Sequence, residues 1–71
     1  MSHLTEAEWR LVHWQRGTLG GFYTALWKAI SQADAFNLIK LRGAFPEDVD
    51  AFVNFSTKED YWESIQERAG L

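Results

Sequence analysis

Apolar residues recur along this chain at spacings of three and four, and no segment alternates apolar and polar convincingly enough to read as a strand. That period belongs to helices: 3.6 residues per turn bring i, i+3, i+4 and i+7 to one side. Leu4, Ala7, Leu11 and Trp14 make the first stripe. Thr5 with Glu8 three residues on is a capping box, so the spacing predicts a helix from residue 6 to 15 or 16. The same helix carries a second, mixed stripe of Trp9, Val12, His13 and Arg16, which leaves it two faces to cover. Leu19, Phe22, Tyr23, Leu26, Trp27, Ile30 and Ala33 predict a helix over 19–32 with Thr24, Lys28, Ser31 and Gln32 on its polar side. Asp34 caps a third over 35–42, with Leu38 and Leu41 inward, Phe36 or Ile39 on a flank, and Gly43 as its C-terminal stop. Pro46 opens a fourth over 46–54 with Val49, Phe52 and Val53 on one face. Ser56 or Thr57 caps a fifth over 58–69 with Trp62, Ile65 and Ala69 inward. Tyr61-Trp62 is expected to close as a lid on helices two and four.

These elements predict an all-α fold: residues 1–71 as one compact domain of four to five short helices. Composition adds an expectation of self-association. A chain of this size buries only about 60% of the surface its unfolded form exposes. It has no cysteine for a disulfide or a Cys-based zinc site, and only His3 and His13 as imidazoles. Four Trp, five Phe and two Tyr are more ring surface than so small a core hides, so part of it is expected to meet another molecule. No apolar run approaches the roughly 20 residues that span a bilayer, and no secretory signal pattern is present, so the expected setting is the cytoplasm and not a membrane. Charge is uneven. Residues 1–42 carry five basic and three acidic groups (+2), and residues 43–71 carry two and seven (−5). The halves could attract, within the fold or between subunits; the alternative is two solvated faces, whose exposed pairs contribute little stability. The overall −3 argues against duplex nucleic acid as a partner. A helix-turn-helix around 34–43 offers only Lys40 and Arg42 as cations.

Catalysis finds little support. Of the serines (Ser2, Ser31, Ser56, Ser64) none sits in a nucleophile-elbow motif, and nothing nearby in sequence pairs His13 with a hydroxyl. Glu47/Asp48 and Glu59/Asp60/Glu63 open predicted helices, where the dipole favours acids without any catalytic role. No ligand spacing suggests a metal, and no motif a cofactor. The expectation is a protein without enzymatic activity. Two features carry binding chemistry. Gly17-Thr18-Leu19-Gly20-Gly21 opens a helix, so its amides and the Thr18 hydroxyl could take an anion; the alternative is that small residues let helices one and two pack tightly. Trp9, His13 and Arg16, with Arg10 and Trp14 nearby, combine stacking surfaces with a phosphate fork, or equally with the residues that anchor protein interfaces. The candidate ligand or partner set is therefore Trp9, His13, Trp14, Arg16, Thr18, Gly20 and Lys28.

Ala33-Asp34, Asn37, Lys40-Leu41, Phe45-Pro46, Val49, Phe52 and Tyr61-Trp62, preceded by Gly21-Phe22-Tyr23, together resemble a group of small uncharacterised proteins encoded by phages and prophages. The likeness covers about residues 20–68. It implies a small helical fold acting inside a bacterial host, and it transfers no functional site. The expected function is non-enzymatic: a phage-type accessory factor that occupies a host, or defence, protein. The alternatives are an oligomeric sponge that sequesters a cyclic or ADP-ribose-type nucleotide, and a structural or assembly part of a virion.

Overall fold

The computed structural model describes residues 3–70; Met1, Ser2 and Leu71 lie outside the described residues, and with them the Ser2 considered above. Five helices follow in order: α1 Glu6–Arg16, α2 Gly21–Gln32, α3 Ala35–Ala44, α4 Pro46–Thr57 and α5 Tyr61–Ala69. No strand occurs among the described residues, so the all-α, single-domain reading holds.

Local chemistry sets most of the ends. The Thr5 hydroxyl accepts from the Glu8 amide at 3.1 Å, while the Glu8 carboxylate accepts from the Thr5 amide at 3.0 Å, closing the capping box. Gly17 ends α1 in the left-handed region at φ +71°, a conformation that strains any residue with a Cβ. Asp34 caps α3 by accepting from the Asn37 amide at 2.8 Å.

Four expectations are corrected at the ends. α2 starts at Gly21 rather than Leu19, because Gly20 is its extended cap residue. α3 runs through Gly43 to Ala44, and no left-handed stop is needed because Phe45 leads directly into Pro46. α4 extends to Thr57. The Ser56 and Thr57 hydroxyls donate back to the Val53 carbonyl at 3.1 and 2.6 Å and so cap nothing downstream. α5 accordingly begins at Tyr61, without a side-chain cap.

Helix α4 is the hub: α1, α2, α3 and α5 all pack against it. The core consists of Ala7, Leu11, Val12, Leu26, Trp27, Ile30, Val49, Ala51 and Ile65, and Trp27 is completely enclosed. Val12 was expected on the mixed stripe of α1; it is fully buried, since α1 is covered over a wider arc than one row of side chains. Trp14 tilts against Trp27 (ring centroids 6.3 Å apart) and Phe52 meets Trp27 edge-on at 6.2 Å. The lid at the C-terminal end is rebuilt as well. Trp62 packs edge-on against Phe55 of α4, whereas Tyr61 reaches α1 rather than α2.

Candidate functional site

Two buried carboxylates organise the interior. Asp48, in the first turn of α4, is buried and stands in register with Ala51, Phe52 and Phe55. Its oxygens accept from Arg10 Nε and Nη2 at 2.8 and 2.6 Å, a two-pronged fork, and from Trp27 Nε1 at 3.0 Å. The Arg10 guanidinium also lies 4.4 Å above the Tyr23 ring centre. The hydrogen bonds from Arg10 to Asp48 push the guanidinium's pKa up, against the opposing effect of burial. Asp48 therefore joins α1, α2 and α4 at one point. Glu47 and Asp48 both lie in the opening turn of α4, as the helix-dipole reading expects, and Asp48 is in addition a buried hub; Arg10 turns inward, away from the face that was to hold a ligand.

Glu8 is the second node. Besides the Thr5 amide, it accepts from Tyr61 Oη at 2.9 Å and from Arg68 Nη1 and Nη2 at 3.2 and 2.8 Å. It thus ties the start of α1 to both ends of α5. Burial alone would push the Glu8 carboxyl up, but the hydrogen bonds from Arg68, Thr5 and Tyr61 outweigh it and hold the group below the ordinary carboxylate value. Burial, and then the Glu8 carboxylate that receives its proton, push the Tyr61 phenol up to about 12. Both carboxylates spend their hydrogen bonds joining one helix to another, which suits a structural role, while their arginine partners also reach outward: Arg10 lies 3.9 Å from the exposed Glu6, and Arg68 donates to the His3 carbonyl. Sequence reasoning missed both. The available signal was a carboxylate in register with an apolar stripe: Glu8 with Leu11 and Val12, Asp48 with Ala51 and Phe52. Such an acid is buried and must find a partner.

The predicted site residues separate into groups. Trp9, His13 and Arg16 share one face of α1, exposed to solvent, and the Trp9 and His13 rings stand 6.4 Å apart. The His13 Nδ1 and the Thr18 Oγ1 are hydrogen-bonded at 2.9 Å, which corrects the expectation that no hydroxyl pairs with His13; the helix end and the following turn hold each other. Trp14 is half-buried against Trp27 and faces away from this group. Gly20 caps α2, and Lys28 lies exposed a full two turns further along that helix. The glycine run is not a packing notch: a Cβ at Gly17, Gly20 or Gly21 would meet nothing within 4 Å, so only Gly17 has a conformational requirement for glycine. That corrects the expectation that these residues bring α1 and α2 close.

The exposed apolar surface lies mostly elsewhere. Helix α3 buries no residue fully. Leu38 and Leu41 are half-buried, while Phe36 is 80% exposed and Ile39 68% exposed. Phe22 was expected in the inward stripe of α2. It is instead 64% exposed, its ring resting against Tyr23 and Phe45 at the rim of the core. Trp9, at 41%, completes the set. An open cleft of about 360 Å³ separates α2 from α3, floored by Ala29, Ala33 and Leu41.

Among the described residues no group of three or more His, Cys, Asp or Glu could hold a metal ion, and no helix is long and apolar enough to cross a membrane. The chain matches no family model, no curated protein and no solved structure.

Proposed function

We propose that this chain is a non-enzymatic protein-binding domain, a self-associating accessory factor of the phage type that occupies a host or defence protein through exposed apolar anchors. The supporting observation is α3. A helix carrying apolar residues on every side is normally enclosed. Here Phe36 and Ile39 remain outside after the core has closed. Exposed aromatic anchors of this kind dominate the energetics of protein interfaces. Trp9, exposed on the outer face of α1 beside His13, supplies a second anchor of the same chemistry.

The test is photo-cross-linking in producing cells, with the reactive side chain placed at position 9, 36 or, as an exposed polar control, 28. A discrete protein adduct at 9 or 36 that is missing at 28 is the expected result. No adduct at either position, or equal labelling at all three, overturns the reading.

One observation favours a second reading, capture of a small nucleotide: the exposed indole of Trp9 beside the His13 ring, with Arg16 on the same face, is a stacking surface next to a phosphate-binding cation. Calorimetry against cyclic and ADP-ribose-type nucleotides decides it. A dissociation constant weaker than about 100 µM for all of them retires it.

A further inference from the structure

We infer that α5 is a strap that comes off as a unit while α1–α4 stay folded, and that the Glu8 carboxylate is its latch. The buried chemistry divides the chain at the turn before α5. Asp48 holds α1, α2 and α4 together through Arg10 and the Trp27 indole. Helix α3 packs on α4 as well. Of the nine buried apolar residues of the core, eight stand on α1, α2 and α4, and Ile65 alone comes from α5. Among the helices α5 packs chiefly on α4. Beyond α4 its hydrogen bonds among the described residues run to the start of the chain: Tyr61 and Arg68 both donate to Glu8, and Arg68 also to the His3 carbonyl.

Opening at Glu8 strands no polar group. Breaking the Asp48 node would leave Arg10 and the Trp27 indole buried without their acceptor, so that node stays closed. When α5 leaves, Tyr61 and Arg68 go into water with it. Glu8 is uncovered to water in the first turn of α1, where its box with Thr5 stays made. The carboxylate and the guanidinium both regain hydration. Helix α5 then melts, because nine residues are too few to hold a helix alone and Asp60 gives it no side-chain cap. Its seat is thinly walled: Tyr61 stands between two open clefts of about 220 and 500 Å³. Departure uncovers the seat of Ile65 and the Phe55 ring that Trp62 packs against. An element with few buried apolar side chains opens at lower free energy than the core.

Native-state hydrogen exchange of the full chain, read by NMR at low urea concentrations, tests this. The amides of residues 65–69 should be protected at least about 10-fold less than those of Leu11, Val12, Trp27 and Val53. They should also respond more weakly to urea, because opening one helix exposes less surface than unfolding the chain. Two variants locate the latch and the boundary. Glu8→Gln keeps the box with Thr5, since glutamine serves there too, but removes the charge to which Arg68 is bonded. It should speed exchange in α5 at least about 5-fold. Gly17→Ala strains the far end of α1, which stays folded when α5 leaves. It should speed exchange of the core amides roughly 5- to 30-fold and leave residues 65–69 at the parent rate.

Three results overturn the inference. In the first, residues 65–69 share the protection and the urea response of the core. In the second, Gly17→Ala speeds them as much as it speeds the core. Either makes the chain one cooperative unit. In the third, Glu8→Gln leaves α5 exchange unchanged, which takes the latch away from Glu8.

Discussion

Replacing Asp48 with alanine removes the acceptor for three hydrogen bonds at once: two from Arg10 and one from the Trp27 indole. The carboxylate side chain is 3% exposed and that of Arg10 18%, so water restores little. Breaking a buried pair by deleting one partner costs about 3–5 kcal/mol, because the other charge stays behind uncompensated. An orphaned indole N–H adds to that, on a scale of about 1–3 kcal/mol for a buried donor. A domain this size has only about 4–10 kcal/mol of total stability. Asp48→Ala should therefore leave the chain largely unfolded at room temperature, or lower its melting temperature by at least about 15 °C at the usual several degrees per kcal/mol. The internal control lies two residues away. Asp50 pairs with Arg42 across the surface, with side chains 59% and 50% exposed, and Asp50→Ala should cost less than about 1 kcal/mol. The two carboxylates share one helix and both pair with arginines, so the contrast isolates burial. Urea unfolding followed by far-ultraviolet circular dichroism measures both variants without relying on the Trp27 environment. Equal losses, or a loss below about 1 kcal/mol for Asp48→Ala, would refute the reasoning. The combined change Arg10→Met with Asp48→Leu should recover much of the stability, since an apolar pair of similar volume avoids the desolvation of both charges.

Three further outcomes follow from the same geometry. Because the folded Glu8 carboxyl lies below its unfolded value, its contribution is fully present above the ordinary carboxylate range and is lost as pH falls through the folded value; Glu8→Gln should lower the urea midpoint at neutral pH and flatten its decline in acid. Tyr61 has the opposite sign. Its phenol is raised to about 12, so its contribution holds below the unfolded value of about 10 and fades between there and 12, and an ultraviolet titration should show one tyrosine ionising late, absent in Tyr61→Phe. Gly17→Ala should destabilise by about 1–2 kcal/mol because φ is +71° there, whereas Gly21→Ala, with open space and helical geometry, should be neutral or slightly stabilising in the same melt; equal losses would restore a packing role for the glycine run.

What the amino-acid order determines on its own is what short-range chemistry can settle. The Thr5/Glu8 box, the Asp34 cap and the Pro46 start each involve groups within four residues, and each forms as the local pattern predicts. The 3.6-residue period likewise specifies all helices and no strand among the described residues. The start of α5 shows the limit. Ser56 and Thr57 have the chemistry of caps, but a hydroxyl can equally bond backward to a carbonyl, and both choose Val53. Tertiary structure alone decided which partners meet across long stretches of chain. Arg10 and Asp48 are 38 residues apart and Glu8 and Arg68 are 60 apart, and no local spacing encodes such pairs. It also decided which apolar residues stay outside. On periodicity Val12 and Trp9 are both candidates for cover, as are Leu38 and Phe36. The position of α4 as the shared hub encloses Val12, half-covers Leu38, and leaves Trp9 and Phe36 in solvent. Burial depends on what the other helices cover, and that becomes fixed only when all five have packed.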